Sequence, residues 1–82
     1  MNRWKRLKRV LGRTENTRFS ELTSLAEAYG FVLARITGSH HIYKHPKMTE
    51  LLNLQNYKGQ AKGYQIRQFL DLLEKYDLDK ED

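Results

Sequence analysis

Three histidines fall within six positions of one another, in the run Gly38-Ser39-His40-His41-Ile42-Tyr43-Lys44-His45. An imidazole, with a reference pKa of about 6.5, exchanges protons near neutrality and serves as acid, base or metal ligand. Metal chemistry fits this spacing poorly. On a strand successive residues face opposite ways, so His41 and His45 share one face while His40 takes the other. Four strand residues span about 13 Å, too far for two ligands of one ion. The chain has no cysteine, and carboxylates near the segment are few, so neither a metal nor a cofactor is expected. For His41 and His45 the plain reading is a strand residue with no chemical role. For His40 a second reading stands, acid–base chemistry on RNA. RNA carries its own nucleophile, the 2′-hydroxyl, and a base that takes its proton sets the oxygen on the adjacent phosphorus. Cations that offset the charge growing on the phosphate make a metal unnecessary. Lys44 shares a face with His40, Arg35 sits on the preceding strand, and Lys58 and Lys62 follow in a loop. Gly38 permits a phosphate to approach the backbone closely, and with Ser39 it sets the turn before His40 and offers backbone donors.

The surrounding pattern predicts the elements that would hold this segment. Trp4, Leu7, Val10 and Leu11 follow helical spacing over residues 2–11, among Arg and Lys, and Gly12 can end that helix. Residues 13–18 read as a polar linker. A helix of about ten residues is marginal alone, so this one docks through its Trp4 stripe or frays. Ser20 is a plausible N-cap for a second helix with the stripe Leu22, Leu25, Ala26 and Tyr29, stopped by Gly30. Strands are expected at 31–37, 40–45 and 51–55, with loops at 46–49 and 56–63. The last helix spans about 64–76, burying Ile66, Phe69, Leu70, Leu73 and Tyr76, with i,i+4 pairs Arg67–Asp71 and Asp71–Lys75. Short turns between consecutive strands imply an antiparallel meander. The fold class is therefore α+β, a three-stranded antiparallel sheet packed by helices, with an extra N-terminal helix. Which face of the second strand is buried stays open: Ile42 argues for one and Tyr43 for the other, and His40 shares the face of Ile42. Tyr43, Tyr57 and Tyr64 can pack in the core or stack on unpaired bases.

Gly38-Ser39-His40-His41-Ile42-Tyr43, preceded by Gly30-Phe31 and Arg35, resembles the HicA toxin family of bacterial toxin–antitoxin pairs. Asn53-Leu54-Gln55, Ala61-Lys62 and Tyr64-Gln65 are similar to one branch of that family, which also carries an early Trp like Trp4. The resemblance covers about residues 19–78. It implies a fold like that of a double-stranded-RNA-binding domain, metal-independent cleavage of messenger RNA, and a catalytic histidine at His40. It also implies a HicB-like antitoxin partner that covers that histidine, the chain being a monomer alone or a hetero-oligomer with the antitoxin. Many members follow the third strand with Pro and a second His; here the region reads Leu54-Gln55-Asn56-Tyr57.

Charge agrees with a polyanionic partner. The 82 residues carry a net charge of +5. Residues 1–18 hold seven basic side chains and one acid, whereas residues 71–82 hold two basic and six acidic. The expected layout is a basic N-terminal helix and linker at 1–18, an RNA-binding and RNA-cleaving domain at 19–78, and an acidic tail at 79–82. The basic N-terminal stripe reads either as a phosphate-contacting arm or as a solvated helix face. No apolar run approaches the roughly 20 residues of a membrane helix, and no secretory h-region follows the basic start. A cytoplasmic location is expected. The sequence reads as a ribonuclease toxin, with a non-catalytic RNA-binding module as the alternative.

Overall fold

A computed structural model describes residues 2–12 and 17–80. Most of the linker expected at 13–18 and the end of the acidic tail lie outside the described residues. The elements run α1 (Arg3–Leu11), α2 (Phe19–Ala28), β1 (Val32–Thr37), β2 (His40–Lys44), β3 (Leu52–Gln55) and α3 (Gly63–Lys75). The strands form one sheet in the order β1-β2-β3, both pairs antiparallel. This is the α+β architecture with an extra N-terminal helix that the pattern predicts.

The helices lie against one face of the sheet. Leu52, Leu54 and Tyr43 join Leu22, Leu25, Phe69 and Leu73 in a single buried cluster. Tyr43 pairs with Leu52 and His41 with Leu54, so the odd-numbered residues of β2 turn toward the helices. His40, Ile42 and Lys44 therefore occupy the other face, beside Asn53 and Gln55 of β3. That answers the question the sequence left open. Tyr43 is the inward residue, its hydroxyl held by Thr23, and burial together with the nearby Glu27 carboxylate pushes its pKa up.

The edge strand β1 is exposed along its whole length, Val32 at 53% and Ile36 at 55%. Its apolar sequence predicts strand but not burial, because the helical layer does not extend over it. An irregularity between Leu33 and Arg35 shifts the register there and places Arg35 opposite Ile42, on the His40 face.

α1 docks rather than frays. Leu7 and Val10 are buried in the common core, and Trp4 packs partly buried against it. Burial of such side chains contributes about 1.5–3 kcal/mol each, which offsets the weakness of an isolated nine-residue helix. The Asn2 side chain caps it by accepting from the Lys5 N–H at 2.9 Å, and the Arg6 guanidinium donates to Ser24 Oγ at 2.7 Å. Lys5, Lys8 and Arg9 stay exposed.

Two helix ends differ from expectation. The N-cap of α2 is Arg18, not Ser20, and no side chain caps it. The Phe19 N–H instead donates to Gly59 O at 2.9 Å, and Ala61 N–H donates to Thr17 O, so the loop before α3 satisfies the start of α2. That loop contains a tight turn, Lys58 and Gly59 both at positive φ, with Tyr57 and Gln60 exchanging backbone hydrogen bonds. At its other end α2 closes through Gly30, where Phe31 N–H donates to Ala26 O and Gly30 N–H to Glu27 O. The end of α3 repeats this pattern without glycine. Asp77 takes the left-handed position, and Leu78 N–H donates to Leu73 O.

Lys75 reaches Glu50 in the β2–β3 loop instead of Asp71, and Glu50 also accepts from the Tyr76 hydroxyl. These two donors hold the Glu50 carboxyl at about 2, against an ordinary 4.5. A depressed carboxyl pKa contributes stability above the unfolded value, and that contribution fades as pH falls through the folded value. The gap in urea midpoint between wild type and Glu50→Gln is therefore expected to hold steady above about pH 4.5 and to close by about pH 2. A gap that does not change across this window contradicts the assignment.

His45 ties this frame together. It is 8% exposed; its Nε2–H donates to Tyr29 O at 2.9 Å, its Nδ1 accepts from Lys47 N–H at 3.1 Å, and its ring meets the Phe31 ring edge-on. Gly30 has φ of +97°, and a Cβ there would stand 2.9 Å from His45 Nε2. Gly30→Ala is expected to cost about 1–3 kcal/mol, read as a lowered thermal midpoint; an unchanged midpoint contradicts the close fit.

Candidate active site

His40 begins β2 directly after the Gly38-Ser39 turn. Gly38 has φ of +60° and Ser39 does not share the left-handed conformation, the pattern of a two-residue hairpin turn with glycine first. Nothing would meet a Cβ at Gly38 within 4 Å, so the backbone there is open to an approaching group. Ser39 is pinned on both sides: its carbonyl accepts from Asn56 N–H at 2.9 Å and its Oγ accepts from Gln55 Nε2 at 3.2 Å.

The His40 ring is half-buried on the open face of the sheet, with Nδ1 3.0 Å from Asn53 Oδ1. An amide oxygen can only accept, so Nδ1 carries the hydrogen and the neutral ring keeps its lone pair on Nε2. The cross-strand register makes this bond, because His40 stands opposite Gln55 and Asn53 is its diagonal neighbour. His40, Asn53, Gln55, Tyr64 and Gln68 line a cavity of about 110 Å³. A larger groove of about 400 Å³ continues from Asn53 and Gln68 along the outer edge of β3, past Leu51, Leu72 and the acids Glu50 and Asp71. That groove is lined by no imidazole, and of its two carboxylates Glu50 is paired with Lys75, which also lines it; the candidate acid–base residue His40 lines the smaller cavity.

Behind the cavity the polar groups are fixed from the core outward. Gln65 is fully buried and donates through Nε2 to Gln55 O at 3.0 Å. One residue earlier, the Tyr64 hydroxyl lies 2.8 Å from that of Tyr57. The Lys62 ammonium sits 5.1 Å from the centre of the Tyr57 ring. The Tyr64 phenol is shifted down, first by the hydrogen bond with Tyr57 and lastly by the Lys62 charge. The Tyr57 phenol is shifted up, first by the bond it shares with Tyr64. Either hydroxyl can donate in this pair.

The sequence-predicted site residues are brought together unevenly. Arg35 projects from the same face as His40, one diagonal step away on β1. Lys44 shares that face but lies four residues along β2, about 13 Å from His40. Lys62 stands at the N-cap position of α3 without a side-chain capping bond; it does not line the cavity and adjoins it through the tyrosine pair. Lys58 lies in the positive-φ turn on the same flank. His41 turns the other way, edge-on to the Phe19 ring at 4.8 Å. Sequence reasoning named neither Asn53 nor Gln68 as site residues. For Asn53 the signal was present, since an antiparallel meander sets residue 53 diagonal to residue 40; nothing in the spacing alone brings Gln68 there. Among the described residues no three His, Cys, Asp or Glu side chains cluster as a metal site, and no helix is long and apolar enough to cross a membrane.

Residues 19–75 match the family model described as HicA toxin of bacterial toxin–antitoxin. The chain belongs to the HicA toxin family. No curated protein matches it. The match runs from the first residue of α2 to the last residue of α3 and so contains the sheet, the His40 cavity and the tyrosine pair, while α1 lies outside it. HicA membership places the chain among the toxins of toxin–antitoxin pairs, a family whose activity is generally that of a ribonuclease, and implies a cognate antitoxin.

The Asn53 contact has a direct spectroscopic consequence. In nitrogen-15 NMR, neutral His40 is expected to show Nδ1 protonated and Nε2 bare, and Asn53→Ala is expected to abolish that preference. A wild-type ring protonated on Nε2 contradicts the assignment.

Proposed function

We propose that this chain cleaves messenger RNA without a metal or cofactor, with His40 as general base. The observation that supports this most is the His40 ring, held at Nδ1 by Asn53 and lining a cavity. Nε2 takes the proton of a ribose 2′-hydroxyl. The 2′-oxygen bonds to the adjacent phosphorus, the bond from phosphorus to the 5′-oxygen breaks, and the upstream fragment ends in a 2′,3′-cyclic phosphate.

Charge on the same face supports the reading. Arg35 stands within side-chain reach of His40 and offsets charge on the reacting phosphate. Lys44 meets the strand further along β2, and Lys58 and Lys62 meet it on the tyrosine side. Gly38 and Ser39 form the open shoulder over which the backbone of the RNA passes. The docked α1 presents its cations from the helical layer, on the far side of the sheet from His40. An antitoxin of the HicB kind silences the enzyme by occupying the His40 cavity. DNA, lacking the 2′-hydroxyl, resists cleavage.

His40→Ala is expected to lower cleavage by about 10²–10⁴-fold, the contribution typical of a positioned base, with RNA retention at low salt nearly unchanged. The wild-type product is expected to carry a cyclic phosphate, and chelators to have no effect. Equal cutting by the variant overturns the role of His40. Salt-dependent retention with no new ends from the wild type supports a non-catalytic RNA-binding module instead.

A further inference from the structure

The reaction releases a 5′-oxygen that needs a proton, and a single imidazole lines the cavity. Of the other four lining residues, three are carboxamides, Asn53, Gln55 and Gln68, which neither give nor take a proton near neutrality. The fourth is Tyr64. We propose that Tyr64 is the general acid of the site, delivering its phenolic proton to the departing 5′-oxygen while His40 Nε2 accepts the 2′-proton. This rests on the ribonuclease reading above and adds to it the second proton-transfer group.

Three observations carry it. Tyr64 is 53% exposed and lines the same cavity as His40, so its hydroxyl is open to a bound strand. Its hydroxyl lies 2.8 Å from that of Tyr57, and either can donate; with Tyr57 donating, the Tyr64 O–H is available to another acceptor. The same Tyr57 O–H and the Lys62 ammonium above the Tyr57 ring then stabilise the phenolate that remains. The downward shift of the Tyr64 phenol agrees with that arrangement. Protons balance: His40 gains one, Tyr64 loses one, and both return to their starting forms by exchange with water. Tyr57 does not line the cavity; it is a positioning residue.

Tyr64→Phe separates this role from base stacking, because phenylalanine stacks as well as tyrosine. The experiment uses an oligoribonucleotide cut by the wild type and the same oligomer with sulfur replacing the bridging 5′-oxygen at the mapped cut. A thiolate leaves without being protonated. Tyr64→Phe is expected to slow the ordinary substrate by about 100-fold or more and to leave the sulfur substrate at nearly the wild-type rate. Its pH–rate profile is expected to lack the alkaline fall expected of the wild type, and Tyr57→Phe to give a smaller loss on the ordinary substrate alone. Equal slowing on both substrates, or no slowing on either, overturns the assignment while the ribonuclease reading stands. A wild type that cuts no RNA overturns that reading and this proposal with it.

Discussion

The site depends on one hydrogen bond, from His40 Nδ1 to Asn53 Oδ1, joining β2 to β3 across the open face of the sheet. It needs no burial of charge and no special residue type, only the register in which His40 stands opposite Gln55. That register is set elsewhere. Leu52 and Leu54 must point into the core for β3 to pay its ordering entropy, and the strand alternation then turns Asn53 outward. The hydrophobic pattern of β3 thus decides which nitrogen of a distant imidazole carries the proton. Gln65 adds a second lock, reaching from the buried face of α3 to the carbonyl of Gln55, so the end of β3 nearest the site cannot shift without abandoning a buried amide.

Much of the frame was legible from the sequence, because helix and strand periods differ and Gly30, Gly38 and Pro46 punctuate them. Less legible was what depends on the third dimension. Ser20 looks like a cap by type, but the start of α2 finds its acceptor in Gly59, forty residues along the chain, and no local pattern shows that. Val32, Leu33 and Ile36 are apolar and yet lie on an uncovered edge, since composition records apolarity but not how far the helical layer extends. The face of β2 was undecidable because Ile42 and Tyr43 are both buried in the end, Tyr43 under α2 and Ile42 on the open face. At the site, His40 and its cations could be nominated by type, whereas the carboxamides and the tyrosine pair are ordinary residues that acquire meaning only by convergence.

The distribution of cations separates two surfaces that the net charge merges. Arg35 and Lys44 belong to the open face of the sheet with His40. The exposed Lys5, Lys8 and Arg9 belong to α1, which packs on α2 in the opposite layer. The first group shares the face that carries the His40 cavity; the second lies across the sheet from it. The basic N-terminus therefore stands apart from the His40 cavity and contributes to the long-range field of the domain.

The three histidines show how far a sequence cluster can mislead. One strand alternation distributes them: His40 to the open face, His41 against Phe19, His45 into the core between Tyr29 O and Lys47 N–H. The other two rings are part of what fixes His40. With His45 committed to the end of α2 and His41 to its start, β2 is held at both ends against the same helix. A one-residue slip would exchange the faces of all three, burying His40 and stranding the Tyr29 carbonyl. The reactivity assigned to one imidazole thus rests on two neighbours whose hydrogen bonds and ring contacts deny the strand any other register.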